Sequence, residues 1–284
     1  MKVFENYVMK QHSNMKVGGV AKKFIVVEDK NELKEIIENN ENIFLLGNGT
    51  NTLIDDGNLD MTFVSTKNFN EIKEIERGVV EVGAGLDFNK LIAFMNKNNY
   101  TGLENLAGIP GSVGGLVYMN GGAYGSEIFD CIFEIEIFDE NHEIRRIKKE
   151  DINFSYRHTE IQQKNWIIIS ATFKFQDGFN LKKVIEIQAL RESKQPLDLP
   201  NLGSTFKNPK GDFSARLISE AGLKGTMIGG AQISEKHPNF IVNRGNATFE
   251  DISNILKLVK KTIKEKYDIA LEEEIIIVKG EQRR

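Results

Sequence analysis

A single cysteine, Cys131, in a chain of 284 residues excludes an internal disulfide and any thiolate metal cluster within one chain. It lies in FDCIFEIEIF, an apolar strand-like run where cysteine acts as a small hydrophobe rather than a nucleophile. Histidine is scarce too: His12, His142, His158 and His237 share no metal-ligand spacing, so no metal is expected. Long apolar runs are missing. Runs such as Trp166–Ile169 and Ile275–Val278 fall far short of a bilayer span, and MKVFENYVMK has no signal-peptide core, so the sequence predicts no membrane insertion and a cytoplasmic location. A net charge of -4 gives no whole-chain attraction to nucleic acid, and no such partner is expected. Only five prolines occur, and two of them fall in QPLDLPNL (195–202), which reads as a linker.

Glycine, by contrast, is concentrated. The stretch AGIPGSVGGLVYMNGGAYG (107–125) holds seven of the 25 glycines, a density that an ordinary helix or strand does not need and that signals backbone brought close to something else. A second turn, GNGTNT (47–52), follows the apolar run 42–46. It fails the dinucleotide fingerprint, because Thr52 stands where Gly or Ala is required and LIDDG follows where a helix must open. It fails the P-loop pattern as well, since no glycine loop here ends in Lys followed by Ser or Thr. What remains is either a plain hairpin turn or a backbone cradle for a large phosphate-bearing ligand.

Around these loops the pattern is α+β. Strands are expected at 24–27, 43–46, 61–64 and 79–82, with a helix capped by Asp29 and striped by Leu33, Ile36 and Ile37, and a second capped by Asp87 and striped by Phe88, Leu91, Ile92 and Met95. Runs at 132–138, 143–147 and 166–175 predict an antiparallel sheet. A boundary is placed near Asp177 and Gly178. Beyond it come helices at 181–193 and 212–221, strands at 226–233 and 239–242, and an amphipathic helix after Thr248 whose KLVKKTIKEK run reads as a solvated face.

Seven segments in order resemble the UDP-N-acetylenolpyruvoylglucosamine reductase family over nearly the whole chain. They are MKVGG (15–19), LGNGTNTLI (46–54), the 107–125 stretch, SYRHT (155–159), GSTFKNP (203–209), AGLKGTMIGGAQISEKHPNFIVNRGNAT (221–248) and LEEEI (271–275). The length resembles the shorter of the family's two forms. The resemblance implies an FAD-binding unit of the vanillyl-alcohol-oxidase type at 1–178, in subdomains of about 1–65 and 66–178, then an α+β substrate-binding domain at 179–284. It also implies NADPH-dependent reduction of UDP-N-acetylglucosamine enolpyruvate to UDP-N-acetylmuramate for the cell wall.

The same resemblance assigns residues. Gly47, Asn48, Gly49, Thr50, Asn51 and Thr52, with Pro110, Gly111, Ser112, Gly114, Gly115, Asn120, Gly121 and Ala123, would hold FAD. Neither loop contains His or Cys, so the flavin is expected to be noncovalent. Arg157 would bind the carboxylate into which negative charge spreads. Ser204 would donate a proton to the inner carbon. Glu274 would orient the carboxylate or relay the proton. Asn208, Lys224, Lys236 and His237 would line the UDP-sugar pocket or its rim. Two departures from the family spelling stand out: Glu273 where proline is usual in LEPE, and Gly121 where alanine is common. Taken singly, Arg157, Ser204, Glu274 and His237 also have bland readings as surface, turn, strand-end and structural residues. Another flavin oxidoreductase of the same fold and a non-catalytic nucleotide-sugar sensor remain alternatives.

Overall fold

The computed structural model describes residues 1–40 and 42–280. They form two compact units that alternate along the chain: 1–5, 23–40, 42–48 and 61–190 make the first, and 6–22, 49–60 and 191–280 the second.

The first unit is organised on a five-stranded antiparallel sheet in the order Ile144–Lys148, Ile132–Phe138, Ile167–Lys174, Val79–Gly83, Ile72–Glu76. Its sequence is legible because period-2 alternation and β-branched residues fit a half-buried pleat. Helix α1 (Lys30–Asn39) starts where expected, with the Asp29 carboxylate accepting from the N–H groups of Asn31 and Glu32. Its stripe of Leu33, Ile36 and Ile37 is buried with Val27, Val64, Phe138 and Ile169. Helix α2 (Phe88–Asn98) is capped by Asp87 and buries Phe88, Leu91, Ile92 and Met95 in the main core with Val80, Ile135 and Phe173.

The glycine stretch holds an element that the sequence reading did not expect, a helix α3 (Val113–Tyr118) with Gly114 and Gly115 inside it. Its cap is Ser112, whose hydroxyl accepts from the Gly115 N–H at 3.2 Å, and Val113, Leu116 and Val117 supply the buried face. Glycine is required at 114 by close packing within the protein: a Cβ there would sit 2.8 Å from the Cβ of Ala84. After α3 the chain forms a tight hairpin, Gly122–Ala123 against Ser126–Glu127, through Tyr124 (φ 50) and Gly125 (φ 80). Left-handed conformations at both central positions match the twist of the flanking strands. Short helix α4 (Glu160–Gln163) and helix α5 (Leu181–Lys194) follow.

The second unit carries α6 (Ser214–Glu220), shorter than the expected 212–221 because the backbone at Phe213 is extended (φ -119, ψ 125), and ends its turn at Gly222 with φ 79. The run read as one strand at 226–233 is a hairpin, Met227–Ile228 against Ala231–Ile233, which pairs on with Ile241–Asn243. Helix α7 (Phe249–Tyr267) opens with a reciprocal box in which Thr248 and Asp251 each satisfy the other's backbone N–H. Its buried Ile252, Ile255, Leu256, Val259 and Ile263 each contribute about 2 kcal/mol of apolar burial. The expected solvated face of this helix holds: Lys257 and Lys261 are exposed.

GNGTNT is not a hairpin. The strand before it, Ile43–Leu45, pairs in parallel with residues 62–64, whereas the strand after it, Thr52–Ile54, pairs in parallel with Ile276–Val278. The turn therefore passes the chain from one sheet to another.

Candidate active site

In the first unit the two glycine segments lie together. A Cβ on Gly47 would fall 2.9 Å from the Ser112 hydroxyl, and Asn48 donates its side-chain amide to Asp87 at 3.3 Å. Asp87 and Ser112 face each other across a β-bridge whose ladder bonds run from Phe88 N–H to Gly111 and from Val113 N–H to Leu86. Gly114 donates to the Ala84 carbonyl at 2.8 Å. The N–H groups at the start of α3 are therefore largely spent inside the protein. The N–H groups of Gly47 and Asn48 donate to no acceptor among the described residues. Asn120 is fully buried with φ 47, and its side-chain carbonyl oxygen has no partner. Unpaired donors without a lysine, and a buried unpartnered acceptor, fit a cofactor that brings both phosphate oxygens and ring N–H groups.

Arg157 sits at the tip of a two-residue hairpin turn between Phe154–Ser155 and His158–Thr159, with φ 54. The Arg157 side chain is 12% exposed, so it is no surface arginine. It donates to the Asn120 carbonyl at 3.2 Å and to the Gly122 carbonyl, lies 4.0 Å from Glu127 and stacks over Tyr156 at 4.8 Å. Glu127 in YGSEIFD was not among the residues singled out from sequence. It follows the glycine stretch without any motif of its own, and only the fold places it beside Arg157.

In the second unit Ser204 and Glu274 are on neighbouring extended segments. Phe206 and Glu273 form a β-bridge, Glu274 N–H donates to the Thr205 carbonyl at 2.8 Å, and Lys207 N–H donates to the Glu272 carbonyl at 2.9 Å. Ser204 is half-buried between Gly203, at φ 75, and Thr205, and its hydroxyl makes no hydrogen bond among the described residues. Asn51 donates its amide to the Glu274 carbonyl at 3.1 Å, while its own carbonyl accepts from Ile276. The second half of GNGTNT is thus tied to the segment that carries Glu274. Gly49, with φ 65, packs against the His12 carbonyl, where a Cβ would come within 1.8 Å. The departure at Glu273 has a physical account. Its N–H takes no part in the bridge, so proline elsewhere in the family loses no ladder bond there, and here Lys260 holds both Glu273 carboxylate oxygens at 2.9 Å.

Of the residues expected to meet the nucleotide sugar, Asn208 accepts from the N–H of Ser214 and so starts α6. Lys224 is exposed, and Lys236 reaches the Glu192 carbonyl. Burial pushes the His237 pKa below its ordinary value, with Lys194 adding a smaller push in the same direction. The buried Nδ1 of His237 has no partner. Cys131 is displaced the other way: burial raises its thiol to about 11, which leaves it protonated and inert. Among the described residues no group of three His, Cys, Asp or Glu could hold a metal ion, and no helix is long and apolar enough to cross a membrane.

Residues 21–148 match a model described as FAD binding domain, and residues 195–278 match UDP-N-acetylenolpyruvoylglucosamine reductase, C-terminal domain. The UDP-N-acetylenolpyruvoylglucosamine reductase of Fusobacterium nucleatum is 61% identical over 98% of this chain and 100% of its own. That of Caldanaerobacter subterraneus is 41% identical over 98% of this chain and 94% of its own. The crystal structure of the Thermus caldophilus reductase superposes with a TM-score of 0.86 at 30% identity, covering 98% of this chain and all of that one.

Proposed function

This chain belongs to the UDP-N-acetylenolpyruvoylglucosamine reductases, and from that premise we propose how its own residues carry the reaction. The protein is an FAD-containing, NADPH-dependent oxidoreductase that reduces UDP-N-acetylglucosamine enolpyruvate to UDP-N-acetylmuramate in peptidoglycan synthesis. When bound, FAD would supply the two-electron redox chemistry that links NADPH to the enol ether.

In this reading Gly47 and Asn48 offer N–H donors to the cofactor's phosphates, with Gly49, Thr50, Asn51 and Thr52 continuing the turn. Pro110, Gly111, Ser112, Gly114, Gly115, Gly121 and Ala123 shape the wall, and the Asn120 side-chain oxygen accepts from the cofactor. No His or Cys stands in either loop, so the cofactor is held without a covalent bond. Residues 1–178 serve flavin binding and 179–284 substrate binding, with 6–22 and 49–60 packed in the same compact unit as 191–280. A cytoplasmic setting and the absence of a nucleic-acid partner complete the proposal.

Adding hydride to the outer carbon leaves an electron pair on the inner carbon, shared with the adjacent carboxylate. Arg157 meets that carboxylate with a planar fork already oriented before charge develops, which lowers the barrier without reorganisation. Ser204 then gives its proton to the inner carbon, completing the saturated lactyl ether. An alcohol is a weak acid in water, but the basic carbon makes the transfer downhill when the hydroxyl is within hydrogen-bond reach. Glu274 orients the carboxylate in its protonated form or relays the proton that restores Ser204. Lys224 and Lys236 balance the diphosphate, and Asn208 and His237 border the sugar.

The observation that carries this reading is the meeting of the two glycine segments at Gly47 and Ser112, taken together with the buried unpartnered oxygen of Asn120. The test is steady-state turnover. NADPH oxidation that requires UDP-N-acetylglucosamine enolpyruvate, yields UDP-N-acetylmuramate and consumes no oxygen supports it. Oxygen-dependent oxidation of free sugars, or binding of the nucleotide sugar without turnover, sinks it. Colour retained in acid-precipitated protein overturns the noncovalent cofactor.

A further inference from the structure

Arg157 does not hold its direction alone. Its hairpin is fastened to the segment that follows α3 at several points. Asn120 donates its amide to the Ser155 carbonyl at 3.0 Å, the Thr159 hydroxyl donates to Tyr118 at 2.6 Å, and the guanidinium itself donates to the carbonyls of Asn120 and Gly122. One carboxylate touches both sides of this joint. Glu127 accepts from the Asn120 amide at 2.7 Å through one oxygen and lies 4.0 Å from the Arg157 guanidinium through the other.

Glu127 is itself held in place. It is paired with Gly122 across the tight hairpin, its N–H is bonded by the Asp130 carboxylate at 2.9 Å, and its side chain in return accepts from the Asp130 N–H. A carboxylate fixed this firmly beside a largely buried guanidinium has two effects. It offsets part of the cost of burying that charge, and it biases the planar fork toward one orientation. The Asn120 bond adds a second constraint, because the same residue presents the carbonyl on which Arg157 rests.

We propose that Glu127 is a positioning residue for Arg157, acting through Asn120 and the Gly122 turn rather than by touching substrate. The inference rests on the role given to Arg157 above. The carboxylate orients the guanidinium before substrate arrives, so its loss falls on the substrate half of the cycle and leaves hydride entry from NADPH alone. Misorientation of a catalytic cation by a fraction of an ångström carries a penalty of about tenfold or more.

The test is a double-mutant cycle on the flavin-loaded protein, with the two half-reactions followed separately. Glu127→Ala is expected to slow reoxidation by the enolpyruvyl sugar about tenfold, with flavin reduction by NADPH changed less than about twofold. In an Arg157→Ala background the same substitution should cost less than about twofold, since its effect passes through the arginine. Glu127→Gln, which keeps the bond to Asn120 and removes the charge, separates the two contributions and serves if the alanine variant does not fold. Full additivity of the two changes, equal damage to both half-reactions, or unchanged reoxidation in both Glu127 variants would overturn the proposal. A crystal structure of Glu127→Ala supplies a readout independent of turnover: the guanidinium should leave the Asn120 and Gly122 carbonyls, and an unmoved guanidinium counts against positioning. If Arg157→Ala itself leaves reoxidation intact while the guanidinium moves in Glu127→Ala, the positioning stands and the role assigned to Arg157 fails.

Discussion

Arg157 and Ser204 are built in opposite ways. The arginine is 12% exposed, rests on two carbonyls of a glycine turn, stacks on Tyr156 and faces Glu127. The serine is half-buried in an irregular segment next to a single β-bridge, and its hydroxyl has no hydrogen-bond partner among the described residues. The contrast fits the roles proposed for the two groups. A cation that stabilises developing charge is most effective when it is already oriented, because reorganisation during reaction raises the barrier. A proton donor is most effective when nothing in the protein competes for its hydrogen, so that the substrate becomes its first partner.

The contrast is testable by the step each change damages. Ser204→Ala should produce the largest effect: reoxidation by the enolpyruvyl sugar slows at least about a hundredfold while reduction by NADPH stays nearly intact. Equal slowing of both half-reactions, measured by rapid mixing, would remove Ser204 as the acid. Arg157→Lys sharpens the other side. An ammonium cannot rest on both carbonyls and still present a planar fork, so the same step should fall about tenfold or more, with the charge retained. A lysine variant with unchanged rate would mean that charge alone, and not the built orientation, matters.

Smaller effects test the scaffold. Gly114→Ala brings a Cβ to 2.8 Å from the Ala84 Cβ, and overpacking should outweigh the gain in helix propensity by about 1–2 kcal/mol, read as a lowered melting temperature. An unchanged or raised melting temperature would show that α3 shifts freely. The smallest effect is in the second unit. Because burial depresses the folded-state pKa of His237, the folded chain binds fewer protons than the unfolded one in that window. Its contribution is fully present above the ordinary value of 6.5 and is lost as pH falls toward the depressed folded value. His237→Gln should therefore flatten the acid side of the stability profile in denaturant titrations, and an identical acid limb in both proteins would contradict this.

Much of the architecture could be read from local chemistry. Asp29, Asp87 and Thr248 announced their helices because a short polar side chain before a 3.6-residue apolar stripe satisfies the first N–H groups, and the central antiparallel sheet followed from alternation. The failures have identifiable causes. Helix α3 was hidden because Gly114 and Gly115 carry the poorest propensity of any residue but proline, and the reason for glycine at 114, the wall at Ala84, lies 30 residues away. The parallel pairing of Thr52–Ile54 with Ile276–Val278 is a long-range fact that no local pattern announces, and it helps tie GNGTNT to the segment that carries Glu274. The hairpin in 226–233 was missed because its two strands read as one apolar run across Gly229 and Gly230. Arg157, Ser204 and Glu274 were reached through motif resemblance. Glu127 carries no such mark, since its importance lies in the contacts it makes and not in its neighbours in sequence.

The central claim is that hydride enters and leaves in two separable steps, with Arg157 and Ser204 acting only on the second. The most direct measurement is an anaerobic titration of the flavin's visible absorbance. NADPH alone should bleach the band and leave it bleached, and one equivalent of UDP-N-acetylglucosamine enolpyruvate should then restore it. A band that NADPH does not bleach, or that returns only when oxygen is admitted, would contradict the account.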